Sequence, residues 1–171
     1  DFYQSFANAV IRQTSNRFDE WIEIAKTFLS NITPKFSFGS DPMNDFSLSF
    51  EWNPDNNSET DILQLPEKIA QKKNVRLIIC LDEFQQIADF NDSLTFQKKL
   101  RTIWQHQQNV TYCLFGSKKH LMENIFNDKG MPFYKFGDMM FLKKIPTEEW
   151  TRFICDKFRE TGKTITPAQA S

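Results

Sequence analysis

The chain has 171 residues, which is enough for one domain with a sizeable hydrophobic core. Its composition, 40% hydrophobic and 25% charged, excludes a wholly disordered protein, and its net charge of −1 provides no field that would attract nucleic acid or an anionic membrane. No apolar run approaches the ~20 residues that span a bilayer, and no signal peptide is visible, so the cytoplasm is the predicted location.

Two helices and a β-hairpin are predicted at the start of the chain. Apolar residues recur every four positions over residues 2–13, which indicates a helix with one apolar stripe. Asn16 can cap a second helix, and Pro34 breaks its pattern. Residues 46–52 then alternate apolar and polar side chains, as a half-exposed strand does, and residues 36–38 are its expected hairpin partner.

The middle of the chain alternates helices with apolar strands. Ser58 or Thr60 can cap a helix that Pro66 is expected to limit to its later half or to kink. Another helix is predicted from about Ser93. Two nearly continuous apolar runs indicate central parallel strands that are buried on both faces, Val75–Leu81 and Val110–Phe115.

The last third of the chain predicts a short helix, a third strand and a final helix. The short helix covers residues 121–126, and the third strand begins at Met139–Leu142. Thr147 is expected to cap the final helix and Gly162 to end it. Thr166-Pro167 is a typical start of a helix, but the sequence stops a few residues later, so a piece of a longer protein is expected. Strands that alternate with helices indicate an α/β fold with a mainly parallel sheet.

Three cysteines, Cys80, Cys113 and Cys155, each lie in an apolar run. Their number is odd, and Cys80 and Cys113 fall inside the strands that we predict to be buried. They are therefore interpreted as small core residues in a reducing compartment, and neither a disulfide framework nor a zinc site is expected.

Polar residues follow both apolar strands, at the carboxyl ends where open α/β sheets bind ligands. Asp82-Glu83 follows the first strand and Gly116-Ser117 the second. Adjacent carboxylates at a buried strand end are costly unless a cation such as hydrated Mg²⁺ neutralises them. Neighbouring strand residues point to opposite sides, so Asp82 suits the metal and Glu83 suits a water that attacks a phosphate. This is the Walker B arrangement, and its competing interpretation is an exposed acidic turn that caps the next helix.

Four segments of the chain carry a resemblance to a known family. They are residues 77–85 (LIICLDEFQ), 114–122 (LFGSKKHLM), 132–137 (PFYKFG) and 141–150 (FLKKIPTEEW). In order and spacing they resemble the hhhhDEFQ Walker B strand and three later landmarks of the archaeal-type ATPases, a branch of the AAA+/STAND P-loop NTPases. The resemblance covers about residues 60–165, and residues 1–57 match only loosely.

The resemblance implies a three-layer P-loop NTPase-like fold, in which helices flank a mainly parallel sheet with a small β-hairpin insertion. It places a partial ATPase core at residues 1–146 and the start of a helical lid region at residues 147–171. It also implies ATP and Mg²⁺ as ligand and cofactor. Asp82 would bind the metal, Glu83 would be the catalytic base, and Ser117 would occupy the sensor 1 position, although a serine there can equally cap a helix.

The chain departs from the family in two places. It contains no Gly-x-x-x-x-Gly-Lys-[Ser/Thr] loop, and Gly162-Lys163-Thr164 is rejected because it lacks the earlier glycine and follows a helix. The 171 residues should therefore bind ATP weakly or not at all. The strand before that loop is missing too, so the sheet must distort, pair its second and third strands directly, or recruit another chain. Lys135 stands near an expected arginine and is either a nucleotide contact or a surface lysine.

Two other classes of function compete with the ATPase. A non-catalytic interaction module would keep the sheet and use the hairpin and a helical face to bind a protein partner or a second copy of itself. A metal-dependent nuclease would use Asp82-Glu83 to hold catalytic Mg²⁺, but no further carboxylate and lysine follow at a suitable spacing. We therefore rank the nuclease last.

Overall fold

A computed structural model describes residues 2–15, 17–29, 33–37, 47–51 and 58–170. The chain divides into two compact units, Asp1–Phe136 and Gly137–Ser171. Residues 137–146, which the resemblance described above would group with the ATPase core, lie in the second unit. The fold is mixed α/β and mostly helical, as the alternation of helices and strands predicts at the level of class.

The helices of the first unit follow the apolar stripes of the sequence. In the first helix, Phe6, Val10 and Ile11 lie on the buried face. Arg17 occupies the position before the second helix and makes no side-chain capping bond, while Asn16, the predicted cap, lies outside the described residues. The bounds are α1 Phe2–Thr14, α2 Phe18–Phe28, α3 Ser58–Lys73, α4 Ser93–Trp104 and α5 Lys119–Asn127, with a 3-10 turn at Phe84–Asp89.

Helix α3 runs without interruption through Pro66, so the prediction that this proline limits the helix to its later half is wrong. A proline inside a helix removes one backbone hydrogen bond and costs about 3 kcal/mol. Here Pro66 is itself buried, between Leu63 and Ile69, which are fully buried on the same helix. Packing of this face offsets the loss of the hydrogen bond.

Two pairs of strands occur in the described ranges. Strand β1 (Thr33–Ser37) pairs antiparallel with β2 (Ser47–Glu51), which confirms the hairpin, although residues 38, 46 and 52 of the prediction lie outside the described residues. Strand β3 (Leu77–Leu81) pairs parallel with β4 (Val110–Leu114), and the register joins Leu77 to Val110 and Leu81 to Leu114. The second pair confirms that the two apolar runs are neighbouring parallel strands.

The prediction that β3 and β4 are buried on both faces is wrong. Burial alternates along each strand, and helix α3 packs against the pair, while Ile78 on the other face is 73% exposed. Cys80 and Cys113, aligned on neighbouring strands, are also exposed, so they are not the core residues that the sequence predicts. An apolar strand is buried on both faces only where elements cover both, and the described residues cover one.

The third predicted strand does not form. Residues 139–146 adopt neither helix nor strand, and Met140 and Leu142 are 82% and 85% exposed. Backbone in a strand needs hydrogen bonds to a neighbouring strand, and in the described ranges this segment pairs with none. Direct pairing of this segment with β4, one of the three outcomes expected for the incomplete sheet, does not occur in the described residues.

The second unit contains α6 (Thr147–Glu160) and the short α7 (Pro167–Ala170). Thr147 is the first helical residue and Pro146 takes the capping position, so the predicted Thr147 cap is wrong. Gly162 ends α6 as predicted: its φ is 75°, its N–H donates to the Arg159 carbonyl, and the next N–H donates to the Phe158 carbonyl. The aromatic residues along α6 are half-exposed, at Trp150, Phe153 and Phe158.

No helix in the described ranges combines the length and the apolar character needed to cross a membrane.

The exposed face of the parallel pair predicts the reactivity of the thiols. Because Cys80 and Cys113 are exposed, we expect a thiol reagent to modify both in the folded protein. Cys155 is half-buried, with its sulfur 3.8 Å from the Ile165 carbonyl oxygen, and should react more slowly. Mass spectrometry of tryptic peptides after timed labelling gives the three rates. Slow labelling of Cys80 and Cys113, accelerated only by denaturant, would contradict the exposed face.

Glu67 connects α3 to the start of β4 through hydrogen bonds. We expect these bonds to make the stability of the protein depend on pH. Burial raises the pKa of its carboxyl group, but the hydrogen bonds that the carboxylate accepts from Asn109 (2.8 and 2.9 Å) and from Gln71 (2.8 Å) outweigh burial, so the pKa is lowered. A lowered folded-state pKa stabilises the protein above the unfolded value of about 4.3, and this stabilisation disappears as the pH falls through the folded value.

We therefore expect Glu67→Gln to lower the free energy of unfolding by about 1 kcal/mol at pH 7, a small value because solvent screens the carboxylate. The difference between the two proteins should shrink in acid, as the wild-type carboxyl becomes neutral as well. Urea unfolding at pH 7 and at successively lower pH measures it. A difference that is constant with pH would contradict the role of the charge.

Candidate functional site

The backbone brings the ends of β3 and β4 together beyond the last paired residues. The Phe115 N–H donates to the Leu81 carbonyl at 3.1 Å, and the Phe84 N–H donates to the Phe115 carbonyl at 2.9 Å. These two bonds connect the segments that follow the two strands, and they hold Glu83 and Ser117 close together. The adjacency follows from the parallel register, because the carboxyl ends of parallel strands meet at one edge of a sheet.

Glu83 sits at a sharp change of chain direction. Its φ of 50° and ψ of 39° place it in the left-handed region, which is uncommon for a residue with a side chain. Two hydrogen bonds fix the turn: the Glu83 N–H donates to Asp82 Oδ1 at 2.7 Å, and the Gln86 N–H donates to the Glu83 carbonyl at 2.9 Å. The extended backbone ends at Leu81, so the strict alternation of strand side chains, from which the sequence assigns separate roles to Asp82 and Glu83, does not apply here.

The Glu83 carboxylate collects hydrogen bonds from both strand ends. Its Oε2 accepts from the Gln85 carboxamide Nε2 and, at 3.0 Å, from Ser117 Oγ. These two bonds, together with the Ser117 N–H and the nearby Lys118 ammonium, lower the pKa of Glu83, while desolvation opposes them. The side chain is therefore ionised at neutral pH.

Asp82 is exposed beside these residues, and one oxygen of its carboxylate accepts a hydrogen bond from the Glu83 N–H. The second oxygen leaves room for one direct or water-mediated metal contact. No group of three or more His, Cys, Asp or Glu residues that could hold a metal occurs in the described part of the chain. Asp82 and Glu83 alone do not enclose a metal ion, but they match the usual coordination of Mg²⁺, which binds one or two carboxylates and completes its coordination shell with water and phosphate.

Lys135 lies in the loop after α5 and is not among the partners of Glu83. It has a φ of 51°, its N–H donates to the Phe126 carbonyl at 3.1 Å, and its ammonium lies 5.4 Å from the centre of the Tyr134 ring. The cation that acts on Glu83 is Lys118 instead. A nucleotide contact for Lys135 stays a prediction.

Gln85 is the site residue that sequence reasoning missed. It follows the acidic pair by two positions and is only 1% exposed, although it is polar. The signal was present, because a glutamine near a strand end can reach the preceding carboxylate once the chain turns. The turn itself, at Glu83, was not predictable from the apolar pattern.

The structure thus brings Asp82, Glu83 and Ser117 to one edge of the parallel pair and adds Gln85. An ionised carboxylate held between a hydroxyl and a carboxamide, with a second carboxylate beside it, can accept a proton and bind a hydrated cation. Among known proteins, no family model matches the chain, and no curated protein is significantly similar to it. The resemblance to the archaeal-type ATPases therefore depends on the four sequence segments alone.

Proposed function

We propose that this chain carries the Walker B and sensor 1 part of an ATP-hydrolysing site of the P-loop class. The observation that carries the proposal is the 3.0 Å hydrogen bond between Glu83 Oε2 and Ser117 Oγ, which joins the ends of two neighbouring parallel strands. Both residues fall in segments that resemble the archaeal-type ATPases. The three-layer P-loop fold, the AAA+ relationship and the cytoplasmic location are parts of the same proposal.

Glu83 is the proposed general base. Its carboxylate is ionised at neutral pH and accepts a proton from the water that attacks the terminal phosphate. The same hydrogen bonds that keep it ionised also make it a weaker base, so much of its contribution must come from holding the water in line with the phosphate. Ser117 supports this role through its hydroxyl group, which donates to the Glu83 carboxylate.

Asp82 is the residue proposed to hold Mg²⁺, through the oxygen that the Glu83 N–H does not occupy. When bound, the ion would neutralise charge on the phosphate oxygens. Asp82 is exposed and lies next to the proposed base, so it can bind the ion or a water of its hydration shell without a buried charge.

The test is the Mg²⁺ dependence of ATP binding in wild type, Asp82→Asn and Asp89→Asn, using the longest natural chain that contains these residues, because the 171 residues hold no glycine-rich loop. Asp89 is a matched exposed aspartate at the end of the 3-10 turn. We expect Asp82→Asn to reduce the enhancement of ATP binding by Mg²⁺ about 10-fold or more, and Asp89→Asn to preserve it. Equal enhancement in all three proteins would exclude Asp82 as the metal residue.

A further inference from the structure

Gln85 is a buried polar side chain whose two ends have very different surroundings. Its Nε2 donates to Glu83 Oε2, while its Oε1 is buried and accepts no hydrogen bond from the described residues. Rotating the carboxamide by half a turn would bring Oε1 against the ionised Glu83 carboxylate, which is repulsive. The carboxylate therefore sets the orientation of the amide, and the unpartnered oxygen is its consequence.

The space that Gln85 occupies exists because residue 116 is glycine. A Cβ at this position would lie 1.8 Å from Gln85 Oε1 and 3.0 Å from its Cδ, far inside contact distance. Gly116 does not have a positive φ, so its backbone conformation is open to other residues. The requirement for glycine is thus one of space for the Gln85 carboxamide.

The backbone on both sides of Gln85 is anchored. Its neighbour Phe84 is 3% exposed, and the Phe84 N–H donates to the Phe115 carbonyl at 2.9 Å. On the far side, Ile87 is 4% exposed. With its backbone fixed and its oxygen seated against Gly116, Gln85 can present its amide to the carboxylate in one place only.

We propose that Gln85 is a positioning residue, which holds the Glu83 carboxylate against Ser117. Its carboxamide fits into the space that is free because residue 116 has no side chain. Gln85 acts through Glu83 and does not itself contact the reacting groups. The assignment depends on the proposed ATPase function only for its effect on turnover. Its structural part concerns the contact between the Glu83 carboxylate and Ser117, whose Oγ lies 3.0 Å from Glu83 Oε2, and this contact can be measured without any activity.

The structural test is the position of the Ser117 amide NMR signal in wild type, Gln85→Met, Gln86→Met and Glu83→Ala, because this signal responds to the charge of a nearby carboxylate. Methionine has a shape close to that of glutamine and suits a buried site, while Gln86 is a matched glutamine that is exposed. We expect the Ser117 signal to move in Gln85→Met nearly as far as in Glu83→Ala, and to stay at the wild-type position in Gln86→Met. A wild-type position in Gln85→Met would overturn the proposal.

Gly116→Ala tests whether the Gln85 carboxamide needs the space beside residue 116. We expect it to shift the side-chain amide signals of Gln85 and to bring them to the exchange rate of an exposed glutamine, because the new methyl group displaces the carboxamide. The double variant Gly116→Ala/Gln85→Ala removes the clash and should unfold at a higher urea concentration than the sum of the two single changes predicts. Unchanged Gln85 signals in Gly116→Ala would overturn the role of the glycine.

Turnover separates this proposal from the proposed function. In a chain that hydrolyses ATP, we expect Gln85→Met to lower kcat about 10-fold and to leave KM for ATP within about twofold, since a misplaced base affects the transition state alone. A shifted Ser117 signal in Gln85→Met, with full turnover in Glu83→Gln, would support the positioning and overturn the ATPase role of Glu83. Unchanged kcat in Gln85→Met, with lost turnover in Glu83→Gln, would overturn the positioning alone.

Discussion

Replacing Glu83 by Gln is expected to leave ATP bound and to slow its hydrolysis by about 10²–10⁴-fold, the usual contribution of a general base. Glutamine keeps the size of the side chain and can still accept the hydrogen bond from Ser117 Oγ, which is 3.0 Å long in the wild-type protein. It cannot take a proton from water. The change therefore removes the chemistry while it preserves most of the geometry.

The measurement is phosphate release under saturating MgATP, together with the affinity for ATP, in the longest natural chain that contains these residues. Glu123→Gln is the control, because Glu123 lies on α5 and forms a partly exposed ion pair with Lys119, 3.7 Å apart. The control should retain wild-type turnover. Full turnover in Glu83→Gln would remove Glu83 from the mechanism.

Replacing Phe133 by Ala is expected to lower the free energy of unfolding by about 3–5 kcal/mol. Its side chain is fully buried, and its ring centre lies 5.4 Å from that of Phe84 in an edge-to-face arrangement and 6.0 Å from that of Trp104. Rings of Phe126 and Phe136 lie at 5.7 and 5.1 Å. Truncation would leave a large cavity among aromatic rings that cannot close around it.

A loss of this size is a large part of the 5–15 kcal/mol that stabilises a typical domain, so the Phe133→Ala protein should unfold at a much lower urea concentration than wild type. Urea unfolding followed by circular dichroism measures the change. Phe153→Ala is the control, since Phe153 is 53% exposed and its truncation should change stability by about 0.5 kcal/mol or less. Equal effects of the two changes would contradict the position of Phe133 in the core.

The sequence by itself determined the elements whose pattern is local. Helices α1 and α4 follow from apolar residues at helical spacing, and β3 and β4 follow from short apolar runs that end in polar residues. The closeness of Glu83 and Ser117 was predictable as well. Parallel neighbours end at the same edge of a sheet, so residues that follow two such strands must meet there.

Only the tertiary structure decided which surfaces are covered and which hydrogen bonds form between distant segments. The apolar composition of β3 could not reveal that Ile78 is exposed, because burial depends on which elements pack on each face. Residues 139–146 have the apolar pattern of a strand but do not form one, since the pattern of a segment does not determine whether another strand pairs with it. The close contact of Gln85 with Gly116 is likewise decided by packing. The two residues lie 31 positions apart, and no local pattern encodes the space between two loops.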